Sequence, residues 1–161
     1  GNLKYSQSEN ENFNTNNFLK KNFQSRKIWC ASSTHDTEEK FCAKTHLEMK
    51  KSYSNLLTII IPRHIERVDV IKSELEQLNL KIQTFEAREK IKKDTDIYIV
   101  DSYGRTKSFY YHCKNVFLGG SLIKHGGQNP LEAARYGCNI LHGPNVTNFH
   151  EIYKFLKKIK I

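Results

Sequence analysis

The sequence lacks a membrane-spanning segment and a secretion signal. No apolar run in its 161 residues approaches the roughly 20 residues that a helix needs to cross a bilayer. No basic stretch followed by an apolar one marks a secretory signal peptide. An integral membrane protein is therefore not indicated. The chain begins with Gly1 instead of Met, so we expect it to be a piece of a longer protein.

Cysteine is scarce and is not arranged for a metal or a disulfide. The four cysteines are Cys30, Cys42, Cys113 and Cys138, with no CxxC spacing and no histidine at metal-site spacing. This usage predicts reduced, mostly buried thiols. A disulfide or zinc framework is the less favoured alternative. We predict neither a metal nor a cofactor.

Acidic residues are outnumbered by basic ones. There are 17 Asp and Glu against 26 Lys and Arg, which gives a net charge of +9. A basic chain suggests an anionic partner, either nucleic acid, a phosphorylated small molecule or an anionic membrane face. Apolar residues make up 38% and aromatic residues 11% of the chain. Global disorder is therefore excluded, and the length fits one domain.

The first 25 residues contain seven asparagines and few branched aliphatic residues. Phe13, Phe18, Leu19 and Phe23 recur at near-helical spacing, which predicts a loose helix from about 10 to 23. We therefore interpret residues 1–26 as a linker and a peripheral helix, and residues 27–161 as one Rossmann-like domain.

Short apolar runs then alternate with helix-length stretches. Strands are predicted at 28–31, 56–61, 81–85, 97–100, 116–118 and 139–141. Helices are predicted at 37–52, 65–78, 105–112, 130–137 and 148–158. The helix at 65–78 is amphipathic, with Val68, Ile71, Leu75 and Leu78 on one face. This alternation predicts a three-layer α/β domain with a mostly parallel sheet.

Ligands of such sheets bind at the carboxyl ends of the strands, where two turns carry polar side chains. Ser33, Thr34 and His35 follow the first strand, in front of three acids. This pattern is typical of a helix N-cap, and a site role is the alternative. Pro62 ends the second strand and is followed by Arg63 and His64. The forked donors of arginine suit phosphate or carboxylate, although a surface arginine is equally compatible.

Two further strands end in glycine-containing turns. Tyr103, Gly104 and Arg105 follow the strand at 97–100, and Gly104 permits a positive φ. Such a sequence is also ordinary turn chemistry. Gly120 and Ser121 follow the strand at 116–118.

A fifth turn, residues 126–132, leads from two glycines into a helix. Asn129 at the N-cap, Pro130 at N1 and Glu132 at N3 predict a capping box. Glycines before a helix also indicate an anion site, and a nearby acid suits ribose hydroxyls. Together the five turns describe a nucleotide cleft, with Arg63 and backbone N–H groups for phosphate and Glu132 for ribose. The sequence contains no Walker A and no GxGxxG motif, so neither an ATPase nor a Rossmann dinucleotide site is indicated.

These segments resemble the C-terminal half of the bacterial lipid A Kdo (3-deoxy-D-manno-octulosonic acid) transferases of glycosyltransferase family 30. The matching stretches are GNLKY at 1–5, WCASSTHDTEE at 29–39, IIIPRHIERV at 60–68, VDSYG at 100–104, VFLGGSLIKHGGQNPLEAARYGCNIL at 116–141 and GPNVTNF at 143–149. The long glycine-rich stretch is the most specific of them.

The resemblance implies a GT-B glycosyltransferase, in which two Rossmann-like halves face a cleft and this half binds the donor CMP-Kdo. The implied CMP contacts are Pro62, Arg63, Tyr103, Gly104, Arg105, Asn129, Pro130, Leu131 and Glu132. Further donor contacts are expected at Ser33, Thr34, His35, His64, Gly120 and Ser121. The family usually has Glu after the glycine of the fourth strand, where this chain has Arg105.

The resemblance also assigns the remaining functions to the other half of the enzyme. That half is expected to contact the inner membrane at its cytoplasmic face, to bind the lipid A precursor and to supply the catalytic base. No catalytic residue is therefore expected in this chain, which alone should be inactive.

Two alternatives stay open at this point. One is another GT-B-type enzyme, such as a UDP-sugar epimerase or transferase. The other is a basic nucleic-acid-binding module. The lysines of the last helix lie opposite an apolar face made by Ile152, Phe155, Leu156 and Ile159. This arrangement is typical of a solvent-exposed helix face and not of a nucleic-acid-binding surface. We therefore expect no nucleic-acid partner.

Overall fold

A computed structural model describes the backbone of residues 2–159 and the side chains of residues 6–159. The helices are α1 Asn2–Asn22, α2 Glu38–Lys50, α3 Val68–Glu76, α4 Thr106–His112, α5 Leu131–Arg135 and α6 His150–Lys158. The strands are β1 Lys27–Thr34, β2 Leu56–Pro62, β3 Ile82–Thr84, β4 Ile97–Ile99, β5 Asn115–Leu118 and β6 Asn139–His142. Short 3₁₀ turns at Ile65–Arg67 and Thr147–Phe149 precede α3 and α6.

The six strands form one parallel sheet in the order β3-β4-β2-β1-β5-β6. This confirms the predicted α/β fold. From β1 the chain adds β2, then β3 at the edge and β4 between β2 and β3, and it then returns to place β5 on the other side of β1. The strand order therefore reverses between β1 and β5. Open α/β sheets bind their ligands at such a reversal, beyond the carboxyl ends of the strands.

The core lies on both faces of the sheet. All seven residues of β2 are buried, and their side chains alternate between two apolar clusters. Leu57 and Ile59 belong to the cluster that contains α1 and α4, and Leu56 and Ile60 to the one beneath α2 and α3. Each such side chain stabilises the fold by about 1.5–3 kcal/mol relative to an exposed one. The sheet thus has helices on both sides, which confirms the three-layer prediction.

Helix α1 is longer than predicted, and one of its predicted apolar contacts is wrong. It begins at Asn2 instead of near residue 10. Leu19 and, directly after the helix, Phe23 are buried with Phe18 packed against the same core, as the spacing predicted, whereas Phe13 is 66% exposed. The apolar spacing missed Thr15, which is buried one turn before Leu19, because threonine is polar. Leu19 and Phe23 belong to the main core, so this end of α1 is integral to the fold.

Helix α6 also packs differently from the prediction. Tyr153 and Leu156 are its buried residues, whereas Phe155 and Ile159 are about half exposed at 59% and 49%. The Tyr153 ring lies against His142 of β6, with 4.5 Å between ring centroids. Of the predicted apolar face, Leu156 is buried and Ile152 half-buried, whereas the prediction was wrong for Phe155 and Ile159 and missed Tyr153, which supplies the contact with the sheet edge.

The four cysteines are free and buried, as predicted. Burial raises the pKa of each of Cys30, Cys42 and Cys138, in the last case to about 11. Within residues 2–159, no helix has the length and apolar character to cross a bilayer.

Candidate functional site

A cavity of about 350 Å³ opens at the strand-order reversal. Ser33, near the end of β1, and Leu118, the last residue of β5, form part of its wall. Helices α4 and α5 and the loop before α5 close the other sides. The full lining is Ser33, Thr106, Tyr110, Leu118, Gln128, Asn129, Leu131, Glu132 and Arg135. Its volume falls within the range of small-molecule sites in proteins.

A bulge in β1 shapes the wall of the cavity. Ser33 has a φ of 55°, and the register of β1 against β2 shifts between Ser32 and Thr34. Gly119 lies so close that a Cβ there would be 2.3 Å from the Ser33 carbonyl oxygen. The amide of Arg63 donates to the Thr34 carbonyl at 3.0 Å. The bulge therefore joins the turn after β2 to the turn after β5.

The helix cap at Asn129 forms, but the predicted capping box does not. The Asn129 Oδ1 accepts a hydrogen bond from the Leu131 amide at 3.0 Å. Glu132 does not reach back to the cap. Its Oε1 instead accepts from the Thr106 hydroxyl on α4 at 2.9 Å. The half-buried Glu132 carboxylate thus faces the cavity, where it is available to a polar ligand.

The turn after β5 is held by a buried carboxylate, Glu38. Its Oε1 accepts from the amides of His35 at 2.9 Å and Gly120 at 2.7 Å, and its Oε2 from those of Ser121 at 3.2 Å and Leu122 at 3.1 Å. The amides of Gly120 and Ser121, two predicted donor contacts, are therefore engaged within the protein. The Ser121 hydroxyl likewise donates to the Leu118 carbonyl at 2.6 Å.

The expected N-cap at residues 33–35 is absent. Ser32 and Thr34 belong to β1, and α2 begins only at Glu38, after Thr37 with no side-chain cap. The Ser32 hydroxyl instead forms a buried hydrogen bond of 2.7 Å with the Tyr110 hydroxyl. The prediction was wrong because β1 continues through the hydroxyl-rich segment after its bulge.

The turns after β2 and β4 lie at the same sheet edge but do not line the cavity. The Tyr103 hydroxyl donates to Glu66 Oε2 at 3.2 Å and accepts from the Ile65 amide at 3.4 Å. Gly104 has a φ of 78°, as its turn predicted. Pro62 is buried, whereas Arg63 and His64 are exposed. These two turns therefore form a second, more open part of the edge.

Arg105 points away from both parts. Its guanidinium lies 3.6 Å from the Glu11 carboxylate on α1 and 5.9 Å from the centre of the Phe85 ring. Only the backbone of Arg105 lies near the turn, and its side chain contributes to packing between α1 and the core instead of to the site.

The cavity thus collects four of the predicted residues: Ser33, Asn129, Leu131 and Glu132. Pro130 is buried beside them at the start of α5. Sequence reasoning missed Thr106, Gln128 and Arg135 as lining residues, together with Glu38 as the anchor of the turn. Gln128 directly follows the glycine pair at 126–127, and that position next to a predicted ligand-binding turn could have identified it. Thr106 and Arg135 lie on the short helices α4 and α5, and the sequence of so short a helix does not show which of its sides is turned toward the cavity.

A larger cavity of about 500 Å³ lies beside the edge strand β6. It is lined by Ile140, His142, Val146, His150, Tyr153, Lys154, Leu156 and Lys157. None of the predicted site residues contributes to it. The smaller cavity is therefore the candidate site.

The parallel sheet with a cavity at its strand-order reversal defines a Rossmann-like α/β domain. No profile of a known protein family matches the chain. The 3-deoxy-D-manno-octulosonic acid transferase of Haemophilus influenzae is 33% identical over 99% of the chain and 38% of its own length. The Aquifex aeolicus enzyme of that name is 32% identical over 80% of the chain and 35% of its own length. The chain belongs to the 3-deoxy-D-manno-octulosonic acid transferase family.

A solved structure supports the same assignment. The C-terminal CMP-Kdo binding domain of WaaA from Acinetobacter baumannii superposes with a TM-score of 0.84, at 27% identity. The match covers 91% of this chain and 77% of that domain. The chain spans little more than a third of the length of the first two curated relatives.

Proposed function

We propose that this domain binds the nucleotide-sugar donor CMP-Kdo, and that the full-length enzyme transfers Kdo from it to a lipid A precursor, releasing CMP. The observation that carries the proposal is the cavity at the strand-order reversal, with the Glu132 carboxylate on its wall. The similarity to a CMP-Kdo binding domain supports the choice of nucleotide. It also disfavours a uridine-dependent enzyme or a nucleic-acid module.

The ribose of CMP belongs in the cavity in this proposal. A carboxylate accepts two hydrogen bonds from neighbouring hydroxyls, and Glu132 already accepts one from the Thr106 hydroxyl. A ribose diol reaching Glu132 would take the place of, or add to, that contact. Asn129 and Leu131 lie on the same wall.

The phosphate belongs next to Arg63. The Arg63 side chain is exposed, and within residues 6–159 it makes no ion pair or hydrogen bond. A guanidinium can bind two phosphate oxygens at once and can stabilise the charge that develops as CMP leaves. Arg63 is held at the sheet edge by its amide, through the Thr34 carbonyl.

The rest of the reaction requires residues outside this chain. We assign the acceptor surface, the catalytic base and the contact with the cytoplasmic face of the inner membrane to the other half of the enzyme. Three acids at this edge support that division, because Glu38 is saturated by backbone amides, Glu66 accepts from the Tyr103 hydroxyl and Glu132 is assigned to ribose.

A nucleotide panel tests the proposal directly. Thermal unfolding is measured with CMP, UMP, AMP and inorganic phosphate at equal concentrations. We expect CMP to raise the melting temperature most, because a ligand at 100 times its Kd stabilises a fold by about 2.7 kcal/mol. A shift with UMP and none with CMP would contradict the proposal and favour a uridine-dependent enzyme.

A further inference from the structure

Three histidines meet at the carboxyl edge of the sheet, beside the cavity. His35 follows β1, His64 follows β2, and His125 lies in the loop after β5. The His35 and His125 rings stack with 4.3 Å between centroids and 34° between planes. The His64 ring meets His35 edge-on at 5.8 Å. We call His35, His64 and His125 the histidine cluster.

The position of the cluster is fixed by the turn beneath it. Gly120 has a φ of 65°, and a Cβ there would lie 3.0 Å from His125 Nδ1 and 3.2 Å from His35 Cδ2. A glycine is therefore required at 120 for both rings to occupy these positions. Glu38 ties the Gly120 amide to the His35 amide through a single carboxylate oxygen. The backbone that carries His35 and packs beneath His125 is therefore held in one conformation.

Among the described side chains, the rings of His35 and His125 make no ion pair with an acid. The Glu38 carboxylate beneath them is occupied by four backbone amides. Glu66 lies 3.8 Å from His64 on the exposed side. Burial lowers the pKa of His35, and the neighbouring His125, His64 and Arg63 lower it further, against an opposing effect of Glu38. This is an environment in which an added anion is favoured.

A metal ion does not fit the same rings. His35 and His125 stack at an angle of 34° instead of directing nitrogen atoms to a common point. In the part of the chain that the structure describes, no group of three or more His, Cys, Asp or Glu side chains is placed to hold a metal. The chemistry that these imidazoles offer is instead hydrogen bonding through their ring nitrogens.

The cluster is continuous with the cavity. The Gln128 Nε2 lies 3.3 Å from His35 Nε2, and Gln128 also lines the cavity. Arg63 precedes His64 in the chain, so the proposed phosphate position adjoins the cluster. A ligand that extends from the cavity toward Arg63 would therefore pass beside the imidazoles.

We propose that the histidine cluster binds the carboxylate of the sugar acid that the donor carries. This inference rests on the proposed function. In an activated Kdo, the carbon bonded to the phosphate oxygen also bears the carboxylate, so that carboxylate lies next to the phosphate. Imidazole N–H groups donate to carboxylate oxygens, and the bond is stronger when the imidazole is protonated.

Nuclear magnetic resonance of the histidine rings tests this assignment with free Kdo as the probe. The control ligand is the corresponding sugar amide, which has no carboxylate. We expect Kdo, but not the amide, to shift the ring resonances of His35 and His125. His125→Ala should weaken Kdo binding by about tenfold, as expected for loss of a charge-assisted hydrogen bond. The variant should leave the CMP affinity within about twofold, and His150→Ala, on the exposed start of α6, is the matched control.

Two outcomes overturn the assignment, and a third separates it from the proposed function. If His125→Ala weakens CMP binding and leaves Kdo binding unchanged, the cluster binds phosphate and not the carboxylate. If Kdo moves no ring resonance in a chain that binds CMP, the cluster does not bind the carboxylate. If Kdo shifts the rings while CMP fails to bind, the nucleotide assignment fails and the carboxylate assignment stands.

Discussion

Replacing Glu38 with glutamine tests whether the turn at the candidate site depends on one buried carboxylate. The two carboxylate oxygens accept two backbone amides each, at distances from 2.7 to 3.2 Å. In Glu38→Gln, an NH₂ group replaces one oxygen, so two amides lose their acceptor and face a donor. Each such bond to a charged group contributes about 1.5–3 kcal/mol, so the loss is about 3 kcal/mol or more. That is a large fraction of the stability of a typical domain.

The loss in the free energy of unfolding is measured by urea unfolding, provided that the m value is the same for the variant and the unaltered chain. The matched control is Glu48→Gln on the same helix, where the carboxylate is 75% exposed and pairs only with Lys51. An exposed pair of this kind contributes at most about 1 kcal/mol. A loss below about 1 kcal/mol for Glu38→Gln would refute the reasoning, since that is the contribution of a single neutral hydrogen bond.

Three further predictions concern pH, thiols and Arg105. Burial lowers the pKa of His46 in the fold, so the unfolded chain binds more protons, and the free energy of unfolding should fall as the pH drops below about 6.5; an unchanged or higher urea midpoint at pH 5.5 than at pH 7.5 would contradict this. Burial raises the pKa of the Cys42 thiol, and the other three cysteines are also buried, so a thiol reagent should label the cysteines only as the domain unfolds. Rapid labelling of the native chain would contradict this prediction. Arg105→Ala should leave the CMP affinity within about twofold, since its guanidinium faces Glu11 and Phe85; a tenfold loss measured by titration would return that side chain to the site.

The fold was largely predictable because its signals are local. The central strands of the sheet contain short apolar runs, and β2 shows this most clearly because it is buried throughout. The amphipathic spacing of Val68, Ile71 and Leu75 identified α3 in the same way. The errors arose where an amphipathic or polar residue supplies the packing, as Thr15 does in α1 and Tyr153 does in α6.

The candidate site was only partly predictable because its contacts join distant segments. Glu38 and Gly120 are 82 residues apart, and nothing in the local pattern distinguishes a helix-start acid from one that holds a turn. The same holds for Glu132, whose spacing predicted a capping box although its partner is Thr106, on another helix. Asn129 was predictable because its cap is a contact between residues two positions apart.

The most direct test of the proposed donor site is the CMP affinity of Glu132→Gln, measured by calorimetric titration. Glutamine keeps an oxygen for the Thr106 hydroxyl, so the stability of the fold should change little. It supplies no anionic acceptor to a ribose diol, so CMP should bind about tenfold more weakly than to the unaltered chain. Glu151→Gln, exposed on α6, is the control and should bind CMP normally. If Glu132→Gln binds CMP as tightly as the unaltered chain, the ribose does not contact Glu132 and the proposed site is wrong.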